Sequence, residues 1–289
     1  MRRSLIVAGL LMATVVAGAR GQEVLLRIGG QQGQSMKYQT VMEMWMSGGA
    51  MPPGMTMDTT QPFMRRTAFQ TRTVTAVTGD TLTMTEVTDS THVETPAMPQ
   101  MAGMMQAMAQ MTPTVTTRMN DRGVIYSTSV DMGAAGAGGG GMAGMGGGGA
   151  MGGGRGGRGG PGGMAGLGRN QRTFFELPRA AVHVGDSWVD TMNVAGATPE
   201  EPTTNMVATY NLKRVDQRGG ARIAVVGMTG TLSTSGGTQP PQQMAMNGEF
   251  QLDVSGRKLA GMNMAMNGTV QTPRGTTPVK MNMTMTPLP

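Results

Sequence analysis

The chain has no cysteine and only two histidines, and these scarcities remove much familiar chemistry at once. Without cysteine there is no disulfide framework, no thiolate nucleophile and no lipid attachment to a cysteine behind a leader. His92 and His183 are too few for a multi-histidine zinc or copper site, and each reads as a lone surface residue. No Gly-X-Ser-X-Gly elbow and no P-loop is present. The carboxylates fall mainly at expected turns, such as Asp80, Asp121, Asp186 and Asp216, where aspartate caps backbone amides. The expectation is a non-enzymatic protein with no catalytic and no cofactor-binding residues.

Long apolar runs are scarce too. The longest, Leu5 to Val16, follows Arg2 and Arg3 and precedes Ala17-Gly18-Ala19. It falls short of the roughly 20 residues a membrane helix needs, so residues 1–19 read as a secretory signal peptide. The mature chain, starting near Arg20, is then exported to a bacterial periplasm or the medium, with no transmembrane segment after cleavage. Its length of about 270 residues suffices for a core without covalent staples.

An excess of charge on the folded body is missing as well. The formal net charge is +6, but Arg2 and Arg3 leave with the signal. Arg155, Arg158, Arg169 and Arg172 lie in a stretch without acids, and setting both groups aside leaves a neutral body. The basic pI therefore reports a linker rather than a nucleic-acid-binding face. Within that linker RGGRGG, Arg155 to Gly160, looks like a fragment of an RNA-binding arginine-glycine box, but two repeats in an exported chain read as solvated linker. No nucleic-acid partner is expected.

What the chain does contain is 47 glycines and 34 methionines. Glycine dominates Gly133 to Gly168, where no apolar face can be drawn at helical or strand period. Residues 132–172 therefore read as a disordered Gly/Met/Arg-rich linker. It separates an N-terminal β segment, 20–131, from a C-terminal one, 173–289. In SMKYQTVMEMWM, Met36, Tyr38, Thr40, Met42, Met44 and Met46 share one face at period 2. Valine- and threonine-rich runs bracket turns at Gly79-Asp80, Asn120 to Gly123, Arg218 to Gly220 and Ser255-Gly256. Phe250, Leu252 and Val254 alternate against Glu249, Gln251 and Asp253; Met262, Met264 and Met266, and then Met281, Met283 and Met285, alternate likewise. One wet and one dry face per strand is the mark of antiparallel sheets.

One stretch breaks this period. In MPQMAGMMQAMAQM, residues 98–111, Met101, Met104, Met105, Met108 and Met111 fall on one face of a helix, with Pro99 in its first turn and Pro113 beyond its end. The fold class expected is mainly β (β-rich α+β): a curved antiparallel sheet or half-barrel, one short amphipathic helix laid across it, and a disordered Gly-rich insertion.

Thioethers are soft ligands that bind Cu(I) or Ag(I) without deprotonation, so so many methionines raise the question of a metal role. The methionines, however, follow whichever period the local structure demands, 2 in the strands and 3.6 in the helix, as core residues do. With aromatics at 3%, they are also needed as apolar filler. Packing is the favoured reading, ahead of soft-metal binding and of oxidant scavenging through sulfoxide formation.

LPRAAVHVGDSWVDTM, Leu177 to Met192, resembles a segment of the form LP, V-x-V-G-D-(S/T)-W found in a family of exported β-rich bacterial proteins of unknown function. The RMNDRGVIYS hairpin and the alternating strand upstream stand in matching order. The resemblance covers most of the mature chain except the Gly-rich linker. It implies a cell-envelope β protein, with Gly185 and Asp186 serving a turn and Trp188 supplying core area. A more distant analogy is to envelope proteins whose curved sheet, closed by a helix, holds lipid or another apolar ligand. A binding or structural module of the envelope is thus expected, with a methionine-rich Cu(I)/Ag(I) protein as the alternative.

Overall fold

Alternation at period 2 becomes, in a computed structural model, one antiparallel sheet. The structure describes residues 23–46, 58–109, 113–131, 175–194, 203–236, 242–272 and 275–289. The expected signal peptide, 1–19, and the linker, 132–172, lie outside them. The strands are β1 (Ser35–Met46), β2 (Met64–Thr78), β3 (Thr81–Glu94), β4 (Thr114–Asn120), β5 (Ile125–Asp131), β6 (Ser187–Val194), β7 (Thr203–Arg218), β8 (Ala221–Ser235), β9 (Gln242–Asp253), β10 (Lys258–Thr272) and β11 (Gly275–Pro287). All four expected turns join consecutive strands.

Their spatial order is β5-β4-β3-β2-β1-β11-β10-β9-β8-β7-β6. Every neighbour is a neighbour in sequence except at the centre, where β1 pairs antiparallel with β11 from Tyr38↔Pro287 to Met46↔Val279. The two β segments are therefore one sheet. β5 and β6 are its open edges, and residues 132–186 connect them.

The sheet wraps around its own core. Tyr38, Val74, Leu82, Met119, Tyr210, Val226, Phe250, Leu252 and Met285, from strands on both flanks of the sheet, belong to one buried cluster, and a flat sheet of this width could not bring them together. Glycine makes part of the bend possible. At Gly230, Gly248 and Gly268, a Cβ would collide with the backbone of the neighbouring strand, so only glycine lets the strands approach this closely. Irregular registers at Phe69/Gln70, Val74/Ala76, Leu212/Arg214 and Leu259/Gly261 add local twist.

Two segments outside the strands fill one end of this curve. Val24 and Val182 exchange backbone hydrogen bonds of 2.8 and 2.9 Å, the Ile28 N–H donates to the Asp121 carbonyl, and the Leu177 N–H to that of Arg122. Val24, Leu26, Ile28, Phe175, Leu177 and Val182 are thereby buried, each large side chain contributing about 1.5–3 kcal/mol by leaving water. Phe175 stacks on Phe250 with centroids 4.2 Å apart, and Trp188 on Tyr210 at 5.5 Å. The Trp188 indole N–H donates to the Glu176 carbonyl at 2.8 Å. The Asp186 carboxylate accepts from the His183 N–H at 2.7 Å, and Gly185 has φ of 99°, a conformation glycine tolerates best. The Leu177 to Trp188 stretch is in this structure a packing and turn element.

The helix is present, with residues 110–112 outside the described ones. A 3-10 turn, Pro99–Met101, leads into α1 (Ala102–Ala109), which lies against β3. Of the methionines expected to face the strands, Met105 does so, while the side chains of Met101, Met104, Met108 and Met111 lie outside the described residues. Two carboxylates sit elsewhere than expected. Asp216 is within β7, paired with Arg214 and Arg218 at 3.1 and 3.0 Å. Asp253 is buried, not facing water, because its carboxylate accepts from the Gly256 N–H at 2.8 Å.

Candidate functional site: the methionine-lined inward face

The strand registers align inward side chains into rows that run across the sheet. Met64, Met44, Met281, Met266 and Met246 stand side by side on β2, β1, β11, β10 and β9, and all are buried. The next row runs Arg66, Met42, Met283, Met264, Gly248, Met228, Tyr210 and Trp188. On either side lie rows with Met285 and Met262, and with Met46, Met244, Met206 and Met192. Methionine thus packs inward from the strands, as its period implies. Where the strands close up on a glycine, long unbranched thioether side chains flank it: Gly248 stands between Met264 and Met228.

Burial divides the face into two clusters. One contains the aromatic and aliphatic side chains described above together with most of the buried methionines, Met246, Met264 and Met281 among them; the other gathers Met44, Met64, Val93 and Val279 against Met105 of α1. Met42 and Met244 touch both, and with Met283 they are only half-buried. The Gln106 side chain beside them accepts from the Val93 N–H at 3.0 Å and donates to the Thr91 carbonyl at 3.4 Å. β3 pairs with β4 only as far as Val87. The glutamine amide therefore replaces part of the missing strand at an edge that would otherwise be bare.

A polar chain crosses the inward face on β1, β2 and β3. The Arg72 guanidinium contacts the Glu86 carboxylate at 2.5 Å and lies over the Tyr38 ring at 5.2 Å. Gln70 donates to Glu86 at 2.7 Å and accepts from the Thr40 hydroxyl at 2.8 Å. Burial works against the charge on Arg72, but Glu86 and Tyr38 outweigh it and hold its pKa above the usual value. The Tyr38 hydroxyl, donating to the Leu259 carbonyl at 3.1 Å, is pushed up by burial, as is that of Tyr210. Arg66 differs: burial pulls its pKa down, and the Glu86 charge only partly compensates.

A cavity of about 30 Å³ lies between Tyr38, Arg72, Phe175 and Leu259, and a shallow pocket of about 170 Å³ opens at the Gly261 bulge. Both are below the 300–1,000 Å³ usual for ligand sites. The two histidines are far apart in the chain, His92 exposed beside Glu94 at 3.4 Å and His183 half-buried beside Asp186 at 3.5 Å. Among the described residues no three of His, Asp and Glu converge as metal ligands would. No family model, curated protein or solved structure matches the chain.

Sequence reasoning located the methionine rows but passed over Arg66, the Arg72–Glu86 pair and Gln106. The signal for the arginine was present. Met64 and Ala68 flank Arg66 at period 2, which puts all three on one face.

Proposed function

We propose that the protein is an exported, non-enzymatic binding module of the cell envelope that takes an extended apolar molecule on its methionine-lined inward face. The observation that carries this reading is the half-buried strip of Met42, Met244 and Met283 between two packed clusters, with α1 laid over one of them. Thioether side chains hop between rotamers at low cost and fit irregular apolar partners. The ligand gains its place by displacing methionine side chains and lifting α1 rather than by entering a preformed cavity.

Protein isolated from its own envelope, extracted gently and weighed intact, should carry co-purifying lipid. Met105→Asp, which sets a charge under α1, should release it. Protein that is empty as isolated, and that takes up no lipid when offered vesicles, would sink the reading.

A second reading is supported by the unbroken row Met64, Met44, Met281, Met266 and Met246, because adjacent thioethers can serve Cu(I) or Ag(I). Titration with Cu(I) against a competing chelator separates the two. Defined stoichiometry with shifted methionine methyl resonances supports the metal; unmoved methyl signals end it.

A further inference from the structure

Two arginines stand on the inward face of β2, and among the described residues only one has a counter-ion. Arg72 is paired with Glu86 and covered by Tyr38. Arg66 lies between Met64 and Ala68 along its own strand, both buried, and between Met42 and Val93 across it. It is half-buried, and among the described residues it makes no ion pair and no side-chain hydrogen bond. The carboxylate whose charge reaches it, Glu86, is already held by Arg72 and Gln70. A second polar group nearby is also unsatisfied: the Thr91 hydroxyl is buried without a partner. Thr91 faces Ala68 across the strands, one inward position along from the Arg66 and Val93 pair. An unpaired cation and an unpaired hydroxyl, at diagonal positions of neighbouring strands on an apolar face, are each costly to bury unless something supplies the acceptor.

The row that begins at Arg66 continues through Met42, Met283, Met264 and Gly248 to Met228 on β8. Inter-strand steps of about 4.8 Å carry it roughly 24 Å across the sheet, the reach of a long acyl chain. One guanidinium offers one positive charge in a planar fork that fits a carboxylate. A doubly charged phosphate would leave uncompensated negative charge in the same field as Glu86.

We propose that Arg66, assisted by the Thr91 hydroxyl, is the head-group site for the carboxylate of a fatty-acid-like amphiphile whose chain lies along the methionine row. This rests on the inward face being an apolar-ligand site. The head group supplies the acceptor both residues lack, and the carbon chain replaces methionine contacts with contacts of its own.

The test compares oleate with oleyl alcohol, which has the same chain and no charge, by titration calorimetry below their aggregation limits at pH 8, on the mature full-length chain. Wild-type protein should bind oleate at least about ten-fold more tightly, as a charge-assisted contact implies. Arg66→Met should abolish that preference while leaving alcohol binding within about two-fold, and Arg66→Lys should keep part of it. The ligand-free Arg66→Met protein should melt no earlier than wild type, because it loses an unpaired cation from an apolar face. Equal binding of the two ligands by wild type, which needs no variant, or a preference that survives Arg66→Met, overturns the assignment of Arg66 alone. Binding of neither ligand by folded wild type overturns the apolar-ligand reading as well.

Discussion

At one end of the inward face Phe175, Phe250 and Tyr210 lock into ring contacts beside buried Leu177, tied by backbone hydrogen bonds from segments outside the sheet. At the other, Met44, Met64, Val93 and Val279 meet Met105 of α1 and Phe63 of the loop before β2, with polar ties from Gln106 and backbone hydrogen bonds from Asp58 to Ala97 and from Ala97 to Pro62. Both ends are apolar and both are buried, yet they differ in what holds them. Aromatic and branched side chains have few rotamers and fit one arrangement. Methionines have many, and fit several. The difference assigns stability to the first end and adaptability to the second, and the proposed apolar ligand would sit where the fold is least committed.

Removing a ring from the first end should do the most damage. Phe250 is 1% exposed, stacked on Phe175 and edge-on to Tyr210 at 6.1 Å. Phe250→Ala should cost about 3–5 kcal/mol in urea unfolding. A loss under about 1 kcal/mol would mean that the aromatic end is not the anchor. The curvature shared by both ends is tested by Gly248→Ala. Its new methyl group would run into the Asn263 carbonyl and the Met264 backbone, and the strands must move apart, at about 1–3 kcal/mol. Unchanged stability would show that this close approach does not hold the bend.

The strands and their turns were legible because their signals are local: alternation at period 2, and Gly-Asp or Gly-Gly between runs. The β1–β11 pairing was not, because nothing between Tyr38 and Pro287 encodes which distant strand closes beside it. Nor were the segments around Leu26 and Leu177 legible as core, since they lack regular period and take their place only once the sheet has curved around them. Gly230, Gly248 and Gly268 look like defects in otherwise good strands, and their purpose emerges only from the backbone that approaches them. Arg66 was readable from its flanking Met64 and Ala68 but was masked by Arg65 beside it, whose outward partner Glu43 at 3.5 Å makes the pair look like ordinary surface charge.

The adaptable end allows a finer comparison within α1. Gln106→Ala strips two hydrogen bonds from the edge of β3 and should cost about 1–2 kcal/mol. It should also speed amide exchange at Val93 while leaving Phe250 and its neighbours protected. Exchange that quickens equally at both ends would show that they open as one unit and that the division drawn between them is false.

Met105 gives the smallest expected effect and bears most directly on why methionine is there. Its side chain packs on the cluster of Met44, Met64, Val93 and Val279, and α1 is too short to persist in water without such packing. Leucine has nearly the same volume and no sulfur, so Met105→Leu should change stability by less than about 1.5 kcal/mol. Met105→Gln should cost more, because an amide would enter the same contacts without a partner. If packing alone is the reason for methionine, the leucine variant keeps its stability yet loses part of the ability to accommodate ligands of different shape, since the branched side chain has fewer rotamers. Leucine proving as damaging as glutamine would mean that the sulfur itself is needed, and Cu(I) titration of the same variant, losing stoichiometry where wild type holds it, would then say why.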